Sequence, residues 1–75
     1  MGGRMVGVYV GVVADNTDPM NSGRAKVQVP AAGITATWAP VCTSGAGRPL
    51  IPVGSRVVVA FEGGDPSRPI VLGKI

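Results

Sequence analysis

Valine recurs at every second position in short runs, and glycine or proline breaks each run before it reaches helical length. Val6, Val8, Val10 and Val12 alternate with Gly7, Tyr9, Gly11 and Val13. Arg24–Pro30 (RAKVQVP) alternates again, with Ala25, Val27 and Val29 on one phase and Arg24, Lys26 and Gln28 on the other. A period of two places successive side chains on opposite faces of a strand. β-branched side chains favour strands, and Gly and Pro are the poorest helix formers. Gly (12) and Pro (7) make up about a quarter of the 75 residues, which speaks against helices throughout.

Three further strands follow. Thr37–Cys42 (TWAPVC) is a weaker one, with Pro40 placing it at an edge or a bulge. Arg56–Glu62 (RVVVAFE) carries Val57, Val59 and Phe61 on one face, and Ile70–Ile75 (IVLGKI) closes the chain. Between them lie Asp15–Gly23 (DNTDPMNSG), a connector over Ala31–Ala36, an irregular stretch over Thr43–Ser55, and Gly63–Pro69 (GGDPSRP). These segments are rich in turn formers. In the long stretch, Leu50 and Ile51 are expected to tuck under the sheet. Five short strands suit a small barrel or sandwich, and closure removes the exposed edges a flat sheet would leave. Val8, Val27, Val29, Val57, Val59, Phe61 and Leu72 are expected to point inward, which leaves Tyr9 on the outer phase of the first strand.

A chain of 75 residues forms one domain, residues 1–75, with a thin core. Small domains compensate with disulfides, metals or association. Cys42 is the only cysteine and histidine is absent, so an internal disulfide is excluded and no conventional ligand set for a metal or cofactor is evident. Association is the remaining source of stability. Arg4 followed by an apolar run to Ala14 resembles a short signal peptide. The alternation reads better as a strand, and cleavage after Ala14 would remove the strongest strand of the domain. No segment is long enough to insert in a membrane.

Catalytic chemistry finds little purchase. A Ser-His-Asp arrangement on Ser22, Thr43 or Ser44 is impossible without histidine. Asp15, Asp18, Glu62 and Asp65, the only carboxylates, all lie in or beside turns, where aspartate bonds its own backbone. Cys42 is expected to be a small buried apolar group. Gly45–Arg48 (GAGR) lacks the Gly-Lys-Ser/Thr and the helix that a phosphate loop requires, and reads as a surface loop that orders against a partner. No enzymatic activity is expected.

The net charge of +3 and an isoelectric point near 9.8 fit solubility, an acidic partner or nucleic acid. The basic residues are dispersed. The candidate partner interface comprises Arg24, Lys26, Gln28, Trp38, Arg48 and Lys74, with the Arg24, Lys26 and Gln28 face the best defined. Phe61 is in phase with the inward valines, and Trp38 is assigned to core or inter-subunit packing.

Several motifs in order resemble a known family. They are Gly11–Asn16 (GVVADN), Asp18-Pro19, Gly23–Pro30 (GRAKVQVP), Trp38–Val41 (WAPV), Pro52–Glu62 (PVGSRVVVAFE) and Gly64–Gly73 (GDPSRPIVLG). Each is weak alone, but their order and spacing resemble the OB-fold domain of phage baseplate protein V and Vgr-type spikes, from about Val6 to Gly73. The resemblance implies an all-β, five-stranded antiparallel OB-fold barrel at the junction of hub and spike in contractile injection machines. It implies a structural adaptor: a homotrimer that meets a baseplate hub protein and a spike or needle protein. Its expected location is the virion tail baseplate or assembled injection particle, after synthesis in the host cytoplasm. Longer relatives continue into a β-helical needle; the resemblance leaves two readings for this chain, a needle on a separate chain or a minimal version of the hub adaptor. The competing reading is a single-stranded nucleic-acid-binding OB domain. Sparse aromatics and the Gly-Asp-Pro-x-Arg-Pro turn weigh against it, and no specific nucleic acid is expected.

Overall fold

The computed structural model describes residues 6–42 and 51–75. Five strands form one sheet: β1 (Tyr9–Asp15), β2 (Ala25–Val29), β3 (Ile34–Ala39), β4 (Arg56–Phe61) and β5 (Pro69–Lys74). Short 3-10 turns at Pro30–Ala32 and Glu62–Gly64 join β2 to β3 and β4 to β5. The order is β3-β2-β1-β4-β5, with every neighbouring pair antiparallel. The sheet curls until its edges meet. Beyond the end of β3, Val41 bridges Val71 of β5 in parallel. There the Cys42 N–H donates to the Val71 carbonyl at 2.8 Å, and the Val71 N–H donates to the Pro40 carbonyl at 2.9 Å. The result is an all-β OB-type barrel.

The interior is built mainly of small branched side chains. Val13, Val27, Val29, Val57, Val59 and Val71 are fully buried, joined by Ala25, Ala39, Ile51 and Phe61. Valine fits because a five-stranded barrel leaves a narrow lumen, and its χ1 is already restricted on a strand. Each fully buried valine stabilises the fold by about 1.5–3 kcal/mol, an upper figure because the unfolded chain is itself partly collapsed. Asn16 ties the segment before β4 to the barrel by donating from Nδ2 to the Ile51 carbonyl at 3.0 Å. Leu50 lies outside the described residues.

The phase of β1 is the reverse of the sequence expectation. Val8 is 63% exposed and Val10 is 45% exposed, whereas Gly11 and Val13 are buried. Tyr9, expected outside, is half-buried with its ring edge-on to Phe61 at 5.4 Å between centroids. Gly11 decides the matter. A Cβ there would sit 2.9 Å from the Gln28 carbonyl oxygen, 3.2 Å from Val29 Cγ2 and 3.3 Å from Val59 Cγ2. Only a residue without a side chain lets β1 pass so close to β2, so the odd-numbered phase faces inward.

Leu72 is also reversed, at 45% exposed, while Val71 is fully buried. The β4–β5 register shifts between Val58↔Gly73 and Val59↔Val71. This bulge leaves Leu72 as the extra residue and turns it outward. The third strand begins at Ile34, earlier than Thr37, and ends at Ala39, before Pro40. Cys42, expected to be buried, is exposed. It follows the half-buried Val41 on the opposite phase, and only its backbone joins the closure.

Candidate functional site: a cation-flanked indole on the outer barrel face

The loop between β1 and β2 is organised by one carboxylate. Asp18 Oδ1 accepts from the Met20 N–H at 2.9 Å, and Oδ2 accepts from the Ser22 and Arg24 N–H groups, both at 3.1 Å. The Arg24 guanidinium closes a two-pronged pair on it, Nε to Oδ2 at 2.9 Å and Nη2 to Oδ1 at 2.8 Å. The Asp18 side chain is only 3% exposed. A carboxylate with this many donors is held ionised: the Arg24 guanidinium first, then the backbone N–H groups, keep its pKa well below the usual carboxylate range against the opposing effect of burial. Arg24 is correspondingly raised by Asp18. Asn21, at φ 53°, takes the left-handed conformation that tightens this turn.

The loop thereby delivers Arg24 to the start of β2, beside Trp38. Register places Lys26 opposite Trp38 on the outer face of the β2–β3 pair. The Arg24 Cζ lies 5.7 Å, and the Lys26 Nζ 5.8 Å, from the indole centroid. Both distances fall within the range of cation–π attraction. Trp38 is half-buried under these two side chains. Gln28 lies exposed farther along the same face, beside a shallow depression formed with Pro30, Gly33, Ile34 and Thr35.

Four of the six residues singled out from sequence, Arg24, Lys26, Gln28 and Trp38, thus share one face. Lys74 is exposed near the far end of β5, paired with Val57, and is not part of it. Arg48 lies outside the described residues. The sequence signalled Asp18 as a turn former but not its grip on Arg24, which needs the loop to close over six residues. That grip changes the character of the site. Arg24 is already neutralised, and Lys26 is the cation of the pair with no carboxylate in ion-pair range among the described residues.

The other carboxylates hold turns. Asp15 Oδ1 accepts from the Thr17 N–H at 2.9 Å. Asp65 Oδ1 accepts from the Ser67 N–H at 2.9 Å and hydroxyl at 2.7 Å, and these bonds lower its pKa. Glu62 meets Arg68 at 3.8 Å on the exposed β4–β5 turn. The indole face offers a flat aromatic rim, one available positive charge and an amide. That combination suits recognition of a protein surface with acidic or amide groups.

Among the described residues, no helix is long and apolar enough to cross a membrane. No curated protein matches the chain significantly. A match to a family of known machinery spans all five strands and the turns between them, and so includes Asp18, Arg24, Lys26 and Trp38. Over residues 9–75 the chain matches the type VI secretion system/phage-baseplate injector OB domain, and it belongs to that family of baseplate-related structural domains.

Proposed function

We propose that this chain is a non-enzymatic structural adaptor that joins the central hub of a contractile injection machine to its spike. It acts as one OB unit over residues 1–75, as a homotrimer, in the tail baseplate of a virion or in a related particle, after synthesis in the host cytoplasm. The observation that carries this reading is the family match over the whole barrel. It is supported by a surface site made for docking: Arg24 held by Asp18, and Lys26 held against Trp38. Rigid aromatic and basic anchors of this kind are enriched in protein interfaces. The face made by Arg24, Lys26, Trp38 and Gln28 is assigned to the hub or spike. Arg48 and Lys74 remain candidate contacts apart from it.

The nucleic-acid reading draws on the net charge of +3. The aromatic geometry disfavours it, because single-strand binders offer open rings on which bases stack. The Trp38 ring is flanked by two cations, and Tyr9 is packed on Phe61. Purified injection particles test the adaptor reading. Mass spectrometry should find this chain in fixed ratio to the hub protein, and Trp38→Ala together with Lys26→Glu should deplete it. Particles that assemble and sediment without the chain would overturn the assignment.

A further inference from the structure

The pairing of β3 with β5 stops at Pro40. There the Val71 N–H donates to the Pro40 carbonyl, and the Cys42 N–H donates to the Val71 carbonyl. One step back along both strands, the same pattern would ask Pro69 to donate to the Trp38 carbonyl, and a proline nitrogen carries no hydrogen. Backbone groups of alternate residues point to the same edge of a strand. Trp38 is on the phase of Pro40 and Cys42, so its N–H and C=O turn away from β2. The planar peptide between Ala36 and Thr37 sends the Ala36 carbonyl the same way. Among the described residues, β3 pairs with β2 alone over Ile34–Ala39, and no backbone bond reaches these three groups. The strand has neither a charge nor an internal proline to block this edge. Thr35 and Ala36 are exposed on it.

We infer that this short edge takes an extended segment of a partner protein, with a carboxylate side chain in the row of Lys26 and Trp38. The inference rests on the adaptor reading and names the chemistry of the partner at this flank. In strand addition the main chain supplies affinity, and alternate side chains of the added segment supply specificity. Lys26 sets that specificity. It lies opposite Trp38, and its Nζ is 5.8 Å from the indole centroid, so the side chain reaches from β2 across the β3 row toward the open edge. Neighbouring strands lie about 4.8 Å apart, so a strand added to β3 stands about 10 Å from β2, a gap that an extended lysine and a glutamate bridge between them. Arg24 is already taken by Asp18, and Lys26 has no carboxylate in ion-pair range among the described residues. A second copy of the chain fits poorly. Its five strands hold one carboxylate, Asp15, which already accepts from the Thr17 N–H, and copies with net charge +3 repel one another.

Amide exchange and fluorescence on the purified chain test this, and Trp38, the only tryptophan, reports on the edge directly. The probes are a short end-capped threonine-rich peptide with one central glutamate and its glutamine counterpart. In the free chain the Trp38 N–H should exchange faster than those of Thr37 and Ala39, which face β2. Millimolar glutamate peptide should slow that exchange and shift the Trp38 emission. The glutamine peptide should bind about threefold to fivefold more weakly at low salt, the worth of one exposed ion pair. Lys26→Gln, checked for folding by circular dichroism, should erase the difference between the peptides. High salt should erase it in the wild type, without a variant. A Trp38 N–H already protected in the free chain, protection that grows with chain concentration alone, equal binding of the two peptides at low salt, or binding of neither would overturn the inference. Such a failure, with the chain still in fixed ratio to the hub protein in injection particles, would leave the adaptor reading intact. Selective capture of the glutamate peptide by a chain absent from those particles would remove the adaptor reading and leave the edge standing.

Discussion

The two flanks of the barrel's outer surface are built on opposite plans. On β2 and β3 the outward phase is polar, and its cations are anchored: Arg24 on Asp18, Lys26 on Trp38. On β1, β4 and β5 the middle of the outward side is aliphatic, with Val10, Val58, Ala60, Ile70 and Leu72, and the charged Arg56 and Lys74 stand at the strand ends. The first flank carries charge and ring geometry, and the second presents area without direction. A domain with so thin a core needs both to hold a fixed place in an assembly, since burial supplies affinity and polar groups supply register.

β1 adjoins β2 of the other flank, and an interior position on it is the most sensitive point. Gly11→Ala should destabilise the barrel by about 1–3 kcal/mol, because the nearest obstacle is the Gln28 backbone carbonyl at 2.9 Å rather than a flexible side chain. Gly11→Val should leave no cooperative thermal transition. A wild-type melting temperature for Gly11→Val would show that β1 does not run so close to β2.

Adjacent residues of β4 separate the inner and outer surfaces. Val59→Ala should cost about 2–3 kcal/mol in chemical denaturation. Val58→Ala, one residue away and facing out, should cost under about 0.5 kcal/mol at concentrations where the chain is monomeric. Equal losses at the two positions would contradict the assigned phase.

Acid should act on the polar flank first. The pKa of Asp18 is depressed in the folded state, so the stability it contributes is fully present above the unfolded carboxylate value. It is lost as pH falls below that value toward the folded one. The wild type should therefore destabilise progressively below about pH 4, with the Trp38 emission changing as Arg24 is released. Asp18→Asn should be less stable at neutral pH and show a flatter acid limb. An acid limb identical in the two proteins would remove Asp18 from its organising role.

The smallest effect concerns nucleic acid. Single-stranded oligonucleotides should bind only weakly, with affinity that falls as salt rises, because the attraction rests on net charge. Trp38→Ala should change it little. Micromolar binding at physiological salt that disappears with Trp38→Ala would recast the indole flank as a stacking platform.

The legibility of the fold follows the same division. β2 could be read with its correct phase because Lys26 and Gln28 interrupt Ala25, Val27 and Val29 with polar groups. β1 could be recognised as a strand but not oriented, since both of its phases are apolar, and four valines outweighed the phase that holds Tyr9 and Gly11. The decisive fact, the approach of the Gln28 carbonyl to Gly11, is a contact between strands that no local pattern carries. Leu72 was misplaced because a bulge shifts phase by one residue without a mark in composition. At the candidate site, Lys26 and Trp38 could be named from sequence. Their juxtaposition required the β2–β3 register, and the capture of Arg24 required the loop to fold back on Asp18.

The seam where β3 and β5 meet has prolines at both approaches, Pro40 just before Val41 and Pro69 two residues before Val71. Neither can donate a hydrogen bond, and the two bonds across the seam use the donors of Cys42 and Val71. A slip by one residue would exchange inward and outward side chains, and a slip by two toward the start of either strand would set the nitrogen of Pro40 or Pro69 where a donor is needed. The missing donors therefore work as a key: they leave the barrel one way to shut, and they deny a strand from another molecule a continuous row of N–H groups on which to pair.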